Sequence, residues 1–251
     1  MARAVNEAAD AAGVDLAAES AERLWAMYEA AHEVAECQRV LAKTGDSPLT
    51  EVLRGCDAVY EWAHYPEGDI YDPEYRGQAY YHAHAADDRA PDEHGHFHTF
   101  VRPAGLGLDV APAAGQDGVP DDPEALVSHL VGISVDAHGR AFRLFTTNRW
   151  VTAEVWYPAE AVIRLLDAFA LDLARPSWPL NRWLTAVPRL FRPQVEALLR
   201  TRDRVVADHA AAHPERNVLE DRTLQVTSEV TIDIYAHIAA LERHLYPDAA
   251  G

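Results

Sequence analysis

Residues 78–102 read QAYYHAHAADDRAPDEHGHFHTFVR, and five of the chain's thirteen histidines fall within this stretch, between His82 and His98. Two runs stand out: Tyr80-Tyr81-His82-Ala83-His84 and His94-Gly95-His96-Phe97-His98-Thr99-Phe100. Side chains on a strand alternate faces with period two, so the histidines of each run project from one side of a strand. Paired as a hairpin in an even register, His82 lies opposite His98, or His84 opposite His96. Cross-strand Cβ atoms are then roughly 5 Å apart. Four imidazoles so placed converge on a single ion at about 2.0–2.1 Å per nitrogen.

Outward from this hairpin the chain keeps its strand character. Aromatic and β-branched runs divided by Gly, Pro and Asp place strands near 59–64, 78–84, 95–102, 129–136, 140–147 and 150–156. The turn Asp136-Ala137-His138-Gly139 joins two of them as a tight hairpin, and 103–123 reads as an exposed loop. On the N-terminal side, apolar positions spaced three and four apart predict a helix over 15–43 with Asp15 as N-cap. A shorter helix follows, with Ser47 as cap and Pro48 in its first turn. On the C-terminal side, helices are expected from Pro158 towards Pro176, from Pro193 to about Ala212, and from about 220 to 245. The fold class is therefore α+β: a central antiparallel β-sheet (residues ~59–156) flanked by N-terminal and C-terminal α-helices. One domain of 251 residues is expected, with a helical segment over 1–56, the sheet over 57–157 and a second helical segment over 158–251.

Composition narrows the function classes. Lys43 is the sole lysine, and the formal charge of −18 argues against nucleic acid and against anionic membranes, both of which need a basic footprint. A protein acting on a small-molecule substrate fits better. Cys37 and Cys56 lie in different expected elements and need no disulfide. With no signal-like leader and no run of about 18 apolar residues, the expected location is cytoplasmic.

The chemistry rests on the histidines. Imidazole suits zinc, iron, copper and nickel, and disfavours the all-oxygen cages of calcium and magnesium. His82, His84, His96 and His98 are the candidate ligands for a divalent transition metal, iron or zinc, with iron placed first. His94 and Glu93 adjoin them as candidate catalytic groups, His94 or a nearby carboxylate serving as a spare ligand. Glu67, Asp69 and Asp72 precede the first histidine strand and could supply that carboxylate. A two-histidine-one-carboxylate set points to Fe(II) and O₂, whereas a zinc-held water points to hydrolysis. The same metal in a non-enzymatic protein would only fix the sheet.

The His-x-His spacing on a strand is similar to the first metal-binding motif of the cupins, which carry such pairs inside a small β-barrel; the likeness covers three residues. The segment His94–Phe100 also resembles the signature of the histidine-triad nucleotide hydrolases and transferases, with Gly95 and Thr99 departing from the apolar residues expected there. That resemblance implies His96 as a nucleophile attacking phosphorus.

Other pairs have metal-capable spacing on helices: Glu29 with His32, Asp233 with His237, and His209 with His213. Asp233 and His237 are expected to hydrogen-bond each other. Arg149 is a candidate for holding a substrate carboxylate, and His64 or Tyr65 could join the histidine cavity if their strand neighbours the hairpin. No Gly-rich phosphate loop and no G-x-S-x-G nucleophile motif is present.

Overall fold

In a computed structural model, which describes residues 14–85 and 89–247, six antiparallel strands lie side by side in chain order. They are β1 (Tyr65–Tyr71), β2 (Gly77–His82), β3 (Gly95–Val101), β4 (Ser128–Val135), β5 (Ala141–Thr147) and β6 (Val226–Thr231). Helices α1 (Ala21–Ala42) and α2 (Pro48–Val52) precede the sheet. Helices α3 (Arg149–Thr152), α4 (Ala159–Ala168), α5 (Trp178–Leu190) and α6 (Arg192–Ala212) fill the connection from β5 to β6, and α7 (Ile234–Leu245) closes the chain. The α+β class expected from the pattern is the class observed.

Local chemistry explains most boundaries. The side chain of Ser20 accepts from Arg23 N at 3.2 Å and starts α1, while Asp15 caps only a short 3₁₀ turn over Leu16–Ala18. Ser47 and Thr50 form the reciprocal capping box of α2, with Pro48 in its first turn. In the β4–β5 turn the Asp136 carboxylate accepts from His138 N and Arg140 N, and Gly139 takes the left-handed φ of +75° that closes it.

Three expectations are corrected. The first strand begins at Tyr65, after the stretch 59–64, which runs beside β2 with Trp62 N donating to Ala83 O. The segment 150–156 is not a strand: Asn148 caps the short helix α3 there. The sixth strand is instead Val226–Thr231, inside the span read as a helix from 220. Its Val-Thr-Ser-Glu-Val-Thr sequence suits a pleated, half-buried surface better than a helix. Asp233 then starts α7 by accepting from Ala236 N at 2.9 Å. Helix α5 lies in a stretch without a foreseen element, with one proline in its first turn and Pro188 inside it.

Period two divides the sheet into two faces. Ala79, Tyr81, Phe97, Val131, Ile133 and Leu144 belong to the main core, which the helices share. Trp183 of α5 packs edge-on against Phe97, their ring centroids 5.9 Å apart. The opposite face carries Tyr80, His82, His96, His98, Phe100 and Phe145. Among the described residues no helix is long and apolar enough to cross a membrane.

Candidate metal centre

The register of the β2–β3 hairpin sets the site. His82 pairs with His96, and Tyr80 with His98, two residues from the expected His82–His98 and His84–His96 pairing. A shift of two preserves the face, so the histidines still project together. His82 Nε2 lies 2.7 Å from His96 Nε2 and 3.2 Å from His84 Nε2. Nitrogens on a tetrahedral ion at about 2.0–2.1 Å per bond are themselves about 3.3 Å apart; the His82–His84 pair has that spacing, while the His82–His96 pair is at hydrogen-bond distance and would open slightly to admit an ion.

His82, His96 and His98 each offer a nitrogen within 4.8 Å of the others, and all three residues are buried. These three could hold a metal ion. His98 Nε2 is buried and has no hydrogen-bond partner, so a lone pair there would be free to bind a cation. Burial acts in the same sense on charge. It pushes the His82 imidazole down to about 2, helped by His96, His84 and His64. Burial also lowers His96, and lowers His98 well below the ordinary histidine range. The neutral imidazole that results is the form that ligates.

Groups behind the ligands fix which nitrogen is presented. His96 Nδ1 hydrogen-bonds the Glu93 carboxylate. The other carboxylate oxygen of Glu93 accepts from Arg143 at 2.8 Å, and Arg143 also reaches Ser134 and Glu229. Burial alone would raise the Glu93 carboxyl, but the His96 hydrogen bond and the charges of His96 and Arg143 bring it below its usual value. A carboxylate behind a histidine holds the tautomer whose Nε2 faces the ion. Glu93 thus lies behind His96, its second carboxylate oxygen turned to Arg143. His98 Nδ1 is 2.9 Å from His129 Nε2, an arrangement of the same kind.

His129 was not singled out by the spacing, and a bulge is the reason. The pairing of β3 with β4 steps between Thr99 and Phe100, so that Phe100 meets His129 and Leu130 is the extra residue. The extra residue reverses the parity and turns His129 to the histidine face. His129 N donates to Glu154 at 2.6 Å. Glu154 is 2 % exposed, and its burial raises the carboxyl to about 7 against the pull of Arg202. Gly132, opposite His98, has no side chain because a Cβ would run into the Phe145 ring. Phe145 fills that space and touches His96 and His98, with ring centroids 5.0 and 5.7 Å away.

The remaining candidates fall elsewhere. His94 precedes β3, and its Nδ1 is 2.6 Å from the Tyr81 hydroxyl on the helix side. His84 is buried, its ring 4.4 Å from that of Trp62. His64 stacks on Tyr80 and hydrogen-bonds Asp69, and the Tyr65 hydroxyl accepts from Tyr60 N. Asp72 accepts from the Glu74, Tyr75 and Asp172 amides, and Glu67 belongs to β1. Asp233 caps α7 while His237 meets Leu190 O, so the expected pair is not formed. Glu29 and His32 are exposed on α1. His209 pairs with Asp221, with the ring of His213 4.6 Å away, and Arg149 pairs with Glu220. Among the described residues, the His82–His96–His98 group is where three such donors converge.

No curated protein and no solved structure gives a significant match to the chain. Residues 28–232, a span that includes the whole sheet and every residue of the metal centre, match the family DUF6969, described as a domain of unknown function, and the chain belongs to that family.

Proposed function

We propose that the protein is a metal-dependent enzyme acting on a small molecule, holding a divalent transition metal through His82, His96 and His98. The observation that carries this reading is the convergence of three buried donors, with His98 Nε2 left without a partner. When bound, such an ion supplies Lewis acidity and can bring a coordinated water to a pKa near neutrality, or it engages O₂ if it is redox-active. With Glu93 drawn back onto Arg143, the donor set is all imidazole, which favours zinc over the two-histidine-one-carboxylate pattern of iron. Glu93 and His129 orient His96 and His98. His84, 3.2 Å from His82 Nε2, is a fourth imidazole at hand. Trp62, 60 % exposed, covers it from the solvent side, and a substrate would enter beside that indole.

A second reading, a closed structural metal in a non-enzymatic protein, is favoured by the depth of the cluster, where His98 has no exposed surface.

Metal analysis of untagged protein, expressed without added metal, tests both. About one equivalent of zinc or iron, lost in a His82→Ala/His98→Ala double variant, supports the centre. Metal-free wild type that gains nothing on metal addition overturns it. Trapping of a nucleotidyl group on His96, with release of the substituent from the attacked phosphorus, in that metal-free protein would favour the nucleotidyl-transfer chemistry of the histidine triad instead. Oxygen uptake or ester hydrolysis that depends on the metal separates enzyme from structural site.

A further inference from the structure

A large cavity of about 750 Å³ lies on the other side of the sheet, between α1, α5 and the chain leaving α4. Its volume is in the range of small-molecule sites. Ala26, Met27, Ala30 and Ala186 give it a floor of small or apolar groups, and charged side chains ring it.

The wall formed by residues 169–172 is tied down from three directions. Asp172 N donates to the carboxylate of Asp72, which is 1 % exposed, at 2.7 Å. Leu171 N donates to Thr185 Oγ1 at 2.9 Å, and Arg189 donates to Phe169 O at 2.7 Å. Gly77 approaches Ala170 so closely that a Cβ there would meet the Ala170 carbonyl. A cavity walled this way exists before any ligand arrives, which reduces the ordering cost of binding.

Its charges are unequally matched. Arg182 is paired with both carboxylate oxygens of Glu33, and Arg192 with Asp167 and Glu196. Arg189, between them on the cavity rim, makes no ion pair with the described residues and spends one donor on Phe169 O. Glu29 on α1 and Asp172 line the same cavity, and neither carboxylate makes an ion pair or hydrogen bond with the described residues. One unpaired guanidinium, two unpaired carboxylates and an apolar floor complement a small molecule that carries both an ammonium and a carboxylate.

We infer that this cavity binds a free amino acid, its carboxylate on Arg189, its ammonium towards Glu29 and its side chain over Ala26, Ala30 and Ala186. The site is separate from the histidine cluster, and its test does not depend on the metal reading.

The experiment is a calorimetric and thermal-shift titration of the full chain with the common L-amino acids. Each that binds is compared with its deaminated acid and its decarboxylated amine. At least one amino acid should bind and raise Tm. Arg189→Met should weaken that binding about tenfold or more, the loss of one charge-assisted hydrogen-bonded contact, and Glu29→Gln should weaken it in the same direction. Both positions are exposed, so unchanged circular dichroism and Tm without ligand will show that the variants fold. The His82→Ala/His98→Ala variant should bind the amino acid as wild type does. Binding of none of the amino acids, binding unaffected by both rim substitutions, or equal binding of the deaminated acids would overturn the assignment.

Discussion

At the residue scale, the candidate ligands were legible because period two is visible in a strand and four of the five histidines obey it, His94 turning instead to Tyr81. His129 was not, since its face depends on the Leu130 bulge, and no local residue type announces that bulge. Glu93 was visible as a neighbour, but its role behind His96 follows from Arg143, fifty positions away in the chain. Two outcomes belong here. Glu93→Gln removes the charge that holds the His96 tautomer and leaves Arg143 facing an amide, so metal affinity should fall about 10–100-fold, measured by competition with a chromogenic chelator. Glu154 titrates in the folded protein at about 7 against an ordinary value of 4.5. The unfolded chain therefore releases its proton first as pH rises. The stability held below 4.5 is lost as pH climbs through about 7. Glu154→Gln keeps the acceptor for His129 N and removes the titration. The Tm of metal-free wild type should fall relative to this variant across that window; parallel curves would refute it.

At the scale of elements, a capped helix such as α2 could be read from Ser47, Pro48 and Thr50, because capping is local. The hairpin over 131–145 was equally plain, for Asp136 and Gly139 carry their own turn chemistry. The β2–β3 register was two residues off, because the connection between the strands is long: its Ala90-Pro91-Asp92-Glu93 turn leads into β3 without fixing which residues pair. Strand β6 was hidden for another reason: Val226–Thr231 is short and runs into α7, and its partner β5 is some eighty residues earlier. Its attachment is polar as well as apolar. The Ser228 hydroxyl, 2 % exposed, donates to Leu198 O at 2.9 Å and meets Thr146 Oγ1 at 2.6 Å. Ser228→Ala should cost about 1–3 kcal/mol, the expense of loosening a buried hydrogen-bonded pair. Urea denaturation monitored by circular dichroism would measure it, and a cost near zero would mean that α6 and β6 are held by apolar contact alone.

At the scale of the whole molecule, the two faces of the sheet do different things. The helix side carries the continuous apolar core, in which Phe97, Trp183 and Leu144 have no exposed surface. The histidine side carries the polar cluster. Removal of a bound metal should therefore lower Tm yet leave the far-ultraviolet circular dichroism native, because the core that holds the helices does not touch the ion. Collapse of the secondary structure on chelation would show that the ion carries the fold, as in closed structural zinc sites.

The three candidate ligands all fall within residues 82–98, on neighbouring strands of one hairpin. The side chains that pack against them on the same face, His129 of β4 and Phe145 of β5, are encoded later. Chains are made from the N-terminus at roughly 5–20 residues per second, so this hairpin is made seconds before those two strands are complete. The nascent chain thus presents its donors to the surroundings while they are still open to water. Capture of the ion is then a matter of timing in synthesis: cells starved of the metal during translation should yield protein that is slow to load afterwards, because the finished molecule has already buried the donors that must receive it.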